Sequence, residues 1–119
     1  MIQNRSFLKL ADNSGVKLVQ CVKVYKSKKV ALGSLILVAV KQIRSQSKLK
    51  KGELCKAVIV RLNNLVSRRN GCHLRCSENA VILLNSKNEM HGTRLNGPIT
   101  NELRKKKLTK ILSLTKFIV

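Results

Sequence analysis

Short apolar runs rich in β-branched residues alternate with polar turns along most of this chain, a pattern that predicts strands before it predicts anything else. Arg5 to Ala11 is a first short strand. It ends at Asp12-Asn13-Ser14-Gly15, whose Asp and Asn bond their own backbone and whose glycine accepts positive φ. Val16 to Tyr25 follows with a period of two, Leu18, Val22 and Val24 on one face and Lys17 and Lys23 on the other, the mark of a half-buried strand. Lys26-Ser27-Lys28-Lys29 is a basic connection. Gly33 opens a run from Ser34 to Val40 that is apolar on both faces and is therefore expected to be the most buried strand. Ile43 to Lys51 has no period and reads as a loop, and Leu54 to Leu62 is the next strand.

Asn70-Gly71 is a hairpin signal, because both central residues of a type I′ turn need positive φ. It predicts a hairpin from Val66–Arg69 and Cys72–Cys76, with Arg68, Arg69 and Arg75 near its tip. Ser77-Glu78-Asn79 turns into an apolar strand from Ala80 to Leu84, and Asn85 to Glu89 is a polar loop. After Gly97-Pro98 the pattern becomes helical. Thr100 or Asn101 is placed to cap a short helix through Lys107, with Glu102 in its first turn and Arg104 to Lys107 in its last, matching the macrodipole. Thr109 is placed to cap a second helix, with Leu108, Ile111, Leu112 and Thr115 on one side. Roughly six short strands followed by one or two small helices read as a mainly β fold, a small barrel with a helical C-terminal appendage. The 119 residues fit one domain, with residues 99–119 as that appendage.

Charge changes the picture. Lys and Arg number 25 against 5 Asp and Glu, a formal net charge of +20. That far exceeds what solubility asks of a small domain, and its self-repulsion opposes a compact state unless a polyanion neutralises it. Each phosphate neutralised also releases counterions, which favours nucleic acid over an anionic membrane or an acidic protein. Hydrophobic residues make up 44% of the chain, enough for a real core. Phe7, Tyr25 and Phe117 are the only aromatics, too few and too scattered for a base-stacking platform. Structured RNA or duplex, gripped by phosphate and shape, is the expected partner. No apolar run approaches the roughly 20 residues of a membrane span, the longest being Leu35 to Val40. The start lacks the features of a signal or transit peptide, so Asn4-Arg5-Ser6 reads as a chance glycosylation pattern.

The candidate chemistry is thin. Cys72-His73-Leu74-Arg75-Cys76 places thiols and an imidazole close together, with His91 further on, but the second ligand pair of a structural zinc site is missing. In a strand Cys72 and Cys76 would lie ~13 Å apart on one face. The five acids are scattered, no Cys–His nucleophile motif occurs, and Gly92-Thr93-Arg94 is no phosphate-binding P-loop. No catalytic group, cofactor, metal or small-molecule substrate is therefore expected. What remains is the basic set. Lys41, Arg44, Lys48, Lys50, Lys51, Arg61, Arg68, Arg69 and Arg75 are the candidate RNA contacts, with Lys56 among them in the sequence. The competing class is a free-standing cationic nucleic-acid-binding module, or a secreted one stapled by Cys21, Cys55, Cys72 and Cys76.

Several motifs stand in a fixed order: Met1-Ile2-Gln3, Ala11-Asp12-Asn13-Ser14-Gly15, Cys21-Val22-Lys23-Val24, Lys51-Gly52-Glu53 and Lys56-Ala57-Val58-Ile59-Val60-Arg61. Asn79-Ala80-Val81, Gly92-Thr93-Arg94, Gly97-Pro98, Glu102-Leu103-Arg104 and Lys110-Ile111-Leu112-Ser113-Leu114 complete the series. From first residue to last the chain resembles the universal large-subunit ribosomal protein numbered fourteen, in its bacterial and organellar form. The resemblance implies a closed five-stranded β-barrel with an extra hairpin and small C-terminal helices. It implies a structural role on large-subunit rRNA, a bridge to small-subunit rRNA, and large-subunit protein nineteen as a neighbour. The bridge and partner face maps to Thr93, Arg94 and Lys110, with Arg104 on the same face.

The departures from that family carry information too. Asn96 stands where an aromatic is usual, which questions the packing beneath its loop, and Ser77-Glu78 replaces Asp-Gly. A usual proline is absent from Ile43 to Ser47, Lys26 to Ala31 looks shortened, and the ending is Thr115-Lys116-Phe117 in place of Ala-Pro-Glu. This divergence, with a lysine- and asparagine-rich composition, points to a mitochondrial ribosome, the alternatives being plastid or bacterial cytoplasm. Because the chain starts at the family's own first residue, a mitochondrial version is expected to be encoded in the organelle.

Overall fold

The computed structural model describes residues 1–25 and 30–119; the basic connection at Lys26–Lys29, and most of the shortening read there, lie outside the described residues. In chain order the elements are β1 (Phe7–Leu10), β2 (Val16–Val24), β3 (Leu35–Ile43), β4 (Leu54–Arg61), β5 (Val66–Ser67), β6 (His73–Leu74), β7 (Ala80–Leu84), α1 (Glu102–Lys105) and α2 (Thr109–Ser113). Five strands close into a barrel in the order β1-β2-β3-β4-β7, and β5-β6 form a separate two-stranded sheet inserted before the last of them. Four consecutive neighbours are antiparallel. An odd number of alternating strands leaves one pair pointing the same way when the ring closes, and here β1 and β7 pair in parallel. Full closure removes the exposed sheet edges on which open sheets aggregate.

Two cores share one seam. The barrel interior holds Leu8, Val19, Cys21, Ile36, Val38, Val40, Ala57, Ile59, Val81 and Leu83, among others. A second core lies outside the barrel, where Leu95, Ile99, Leu103, Ile111 and Leu112 cover Val58, Val60, Ala80, Ile82 and Leu84. Successive strand residues point to opposite faces, so β7 feeds both cores alternately, and all five of its residues are buried. A strand needs apolar residues at every position only when both of its faces are covered, which is the position of β7 and the end of β4.

This explains where the pattern misleads. β3 was expected to be the most buried strand, but that place belongs to β7. Ile36, Val38 and Val40 face inward, whereas Leu35 and residues 41–43 are exposed, because the C-terminal segment covers β4 and β7 instead of the outside of β3. In β2 the buried residues are Val16, Val19 and Cys21, and Val22 is exposed, contrary to the simple alternation. Its pairing with β3 shifts register between Val16 and Leu18, between Leu18 and Val19, and between Cys21 and Lys23. Each irregularity breaks the two-residue count that the sequence pattern assumes. Leu49 lies in a stretch without period, yet it is buried in the barrel core as part of the loop that returns to β4.

The hairpin and helices also differ in detail from expectation. Ser67 pairs with His73, the Arg68 N–H donates to the Cys72 carbonyl, and the Gly71 N–H donates to Arg68. Residues 69–71 therefore form a three-residue loop in which Gly71 (φ 83°) has positive φ and Asn70 does not. That is a turn closed by a glycine bulge, not a type I′ turn. The Asn70 side chain instead accepts from the Cys72 N–H. α1 ends at Lys105, and the residue preceding it, Asn101, makes no side-chain cap. Thr100 is buried, with its hydroxyl donating to the Val60 carbonyl, so it fastens the segment to β4 instead of capping. Lys107 takes a positive φ of 60° between the helices, and Thr109 begins α2 without capping it. The chain then returns to pair Ile99 with Ile118. All four cysteines are free thiols, and Cys21 lies in the barrel core, where burial raises its pKa.

Because the two cores meet in β7, loss of packing in either should unfold the same unit. Leu83→Ala (inner) and Leu103→Ala (outer) are each expected to cost about 2–5 kcal/mol in urea unfolding. Phe7→Ala, at a position 57% exposed, should stay within about 0.5 kcal/mol of the parent.

Candidate nucleic-acid interface

The Asp12–Gly15 turn is more than a turn. Asp12 is buried; one carboxylate oxygen accepts from the Ser14 N–H and hydroxyl, and the other from the Leu83 N–H of β7. The carboxylate thus continues the β1–β7 ladder past the last paired residue of β1. Next to it, the Asn13 side chain holds the Gly92–Arg94 loop through three hydrogen bonds. Its Oδ1 accepts from the Thr93 N–H (2.7 Å) and the Arg94 N–H (3.1 Å), and its Nδ2 donates to the Thr93 hydroxyl (3.0 Å). A Cβ on Gly92 would lie 2.8 Å from Asn13 Oδ1 and 2.9 Å from Asp12 Cβ, so no larger residue fits without moving the turn. On its other side the turn meets the loop after β3: the Arg44 N–H donates to the Gly15 carbonyl at 2.7 Å, and Ser47 packs on Gly15.

These contacts bring together residues that the sequence keeps far apart. Arg44 and Lys48, expected to contact RNA, and Thr93, expected on the bridge face, border one polar cleft of about 610 Å³ with Asn13–Gly15 and His91–Gly92. Lys41 is exposed near the end of β3, Lys50 and Lys51 are exposed on the connection that follows it, and Glu53 folds back to accept from the Lys50 N–H. Asn13, Ser47 and His91 were not among the expected site residues. Asn13 had a signal in the Asp-Asn-Ser-Gly motif, which reads as chain reversal and says nothing of what the reversal holds; Ser47 had none, and His91 was weighed only as a metal ligand.

Two of the expected contacts have other duties. Arg61 is 8% exposed. Its Nη1 donates to the carbonyls of Asn96 (2.8 Å) and Pro98 (3.3 Å), and Nη2 lies 3.6 Å from Glu78. Its Nε is buried without a hydrogen-bond partner. Arg61 therefore props up the Asn96–Pro98 loop and does not present its charge outward. That also settles the question raised at Asn96: the residue is exposed, while Leu95 fills the core beneath and Arg61 supports the backbone. Arg68 forks onto Glu102 at 2.7 and 3.1 Å and donates to the Val119 backbone oxygen at 2.8 Å, fastening the hairpin to α1 and the end of the chain. Arg69 at the hairpin tip and Arg75, whose Nε donates to Asn63, are exposed. Arg94, Arg104 and Lys110 are exposed, and Lys110 makes only a surface pair with Glu89 at 3.4 Å.

Such a closed barrel, with exposed cations on the loops around it, is a small basic β-barrel. The chain belongs to the ribosomal protein L14p/L23e family, which it matches over residues 1–119. It is accordingly a ribosomal protein, non-enzymatic, with a structural role in the large subunit and with rRNA and other ribosomal proteins as its partners.

Hydrogen bonding from Arg68 holds the Glu102 carboxyl below its ordinary value, and hydrogen bonding from Lys9 does the same to Glu78. A carboxyl lowered in the folded state contributes stability above its unfolded value near 4.3. That contribution is lost as pH falls through the lowered value. The urea midpoint should therefore fall between roughly pH 6 and about pH 3, and Glu102→Gln should make the fall shallower. An unchanged fall in the variant would show that the hairpin–helix fork is not linked to folding.

Proposed function

We propose that this protein clamps large-subunit rRNA with the exposed cations of its loops, and that the Thr93–Arg94 loop with Arg104 and Lys110 forms part of a bridge to the small-subunit rRNA. Seven of the nine expected RNA contacts support the first part by their placement: Lys41, Arg44, Lys48, Lys50, Lys51, Arg69 and Arg75 are all exposed. The observation that carries it is the poverty of internal neutralisation. Four ion pairs form among the described residues, in a chain with 25 cations and 5 acids. Phosphate is the anion that neutralises the rest at a gain, because counterions are released. With three aromatics in the chain, the reading is of backbone and shape, not of stacked bases. Buried Arg61 supports this function by holding the Asn96–Pro98 loop that follows Arg94, and half-buried Arg68 by fastening the hairpin that carries Arg69 and Arg75. Large-subunit protein nineteen is the protein neighbour expected at the bridge face. Composition and divergence from the usual family pattern support a mitochondrial ribosome over a plastid or bacterial one, which cell fractionation tests directly.

Binding to large-subunit rRNA fragments across a salt series is the central test. Seven phosphate contacts should weaken affinity on the order of a thousandfold or more between 50 and 200 mM salt. An affinity that hardly changes with salt would remove the phosphate mechanism. For the bridge, Arg94→Ala should impair subunit joining more than incorporation into large subunits. Equal losses in both assays would take Arg94 out of the bridge.

A further inference from the structure

The cleft between the Asn13–Gly15 turn, the Arg44–Lys48 loop and the His91–Thr93 loop belongs to three separate segments of the chain. Arg44, Lys48 and His91 border it, and no carboxylate does. Asp12, beside Asn13 in the chain, is buried and already hydrogen-bonded to Ser14 and Leu83. A polar volume of about 610 Å³ lies in the range that holds a nucleotide-sized group. The walls are mechanically joined. Ser47 packs on Gly15, with its Cα 3.0 Å from where a Cβ would stand, and the Ser47 hydroxyl donates to the Ser14 carbonyl at 3.4 Å. On the far side all three hydrogen-bonding positions of the Asn13 side chain used in the fold go to Thr93 and Arg94.

We infer that this cleft holds one backbone phosphate of RNA, and that Asn13 is a positioning residue transmitting its occupation from the Arg44–Lys48 loop to the Thr93–Arg94 loop. The inference rests on the rRNA-binding reading above and adds a discrete site and a linkage to it. Occupation draws Arg44 and Lys48 toward the phosphate. Because Arg44 donates to Gly15 and Ser47 abuts the same turn, the turn is fixed with them. Asn13 then fixes the backbone N–H groups of Thr93 and Arg94. Anchoring to large-subunit rRNA is thereby coupled, through Asn13, to the position of the loop proposed to face the other subunit.

Amide NMR of the free protein tests both halves, with inorganic phosphate as one probe and a short large-subunit rRNA hairpin as the other. Phosphate should shift the amides lining the cleft and those of Thr93 and Arg94. Arg44→Ala with Lys48→Ala should weaken these responses about tenfold or more. Asn13→Ala should leave the response of Arg44 and Lys48 in place while abolishing that of Arg94, a separation that a merely structural role does not produce. If Asn13→Ala fails to fold, Thr93→Val removes one of the three bonds and should reduce the Arg94 response. Phosphate that shifts neither loop, or an Arg94 response that survives Asn13→Ala, overturns the inference. RNA that binds with the expected salt dependence but leaves the cleft amides unmoved also overturns it and spares the rRNA reading. Absence of any RNA binding overturns that reading itself.

Discussion

The structure depends on β7 being apolar at every position. Val81 and Leu83 close the barrel from inside, and Ala80, Ile82 and Leu84 support the C-terminal segment from outside. Only a strand covered on both faces can join two cores without leaving one exposed. The same strand supplies the parallel contact that a five-membered ring requires, and its Leu83 N–H receives the Asp12 carboxylate where β1 runs out. Barrel closure, C-terminal docking and the Asn13 turn are therefore consequences of one short strand. A polar residue at any of its positions would leave a buried group unpaired in one core or the other.

Cations in this protein divide by depth. Arg61 and Arg68 bring guanidinium groups against backbone oxygens and carboxylates, geometry that a fork of planar donors satisfies and an ammonium does not. The lysines of the loop before β4 are exposed and have no such geometry to satisfy. They keep their charge in water. The buried Arg61 and half-buried Arg68 that hold the Asn96–Pro98 loop and the hairpin, and the exposed cations on and beside those segments, are two parts of one arrangement, because a mobile loop would lose the entropy of ordering each time it bound a partner.

The strands, the barrel and the basic surface were legible in the sequence, since periodicity and composition are local quantities. What was hidden was non-local. Nothing near Leu35 or Ala80 tells which of two apolar runs will be covered twice; that is decided by where Leu103, Ile111 and Leu112 dock. Val22 and Cys21 exchanged roles because the β2 ladder is irregular, and irregularities appear only when a strand is paired. Arg61 and Arg69 look alike in the sequence, but Arg61 ends a buried strand under the Asn96–Pro98 loop and Arg69 sits at a hairpin tip. A charge in a row of charges carries no mark of its depth.

The five acids make the same point from the other side. Glu78 joins the turn before β7 to Lys9 of β1 and to Arg61; Glu102 joins α1 to the hairpin; Glu89 reaches Lys110 of α2; Glu53 closes the loop before β4; Asp12 ties the first turn to β7. Four of the five stand where two segments meet, Glu53 acts within its own loop, and none borders the cleft of Arg44 and Lys48. In so basic a chain an acid placed at random would weaken the positive potential of the exposed surface. Placed at a junction, it offsets repulsion locally and fixes a loop at the same time. Scarcity of acids and rigidity of the basic loops are thus one requirement: the few negative charges the fold can bear go where they set the direction of the many positive ones.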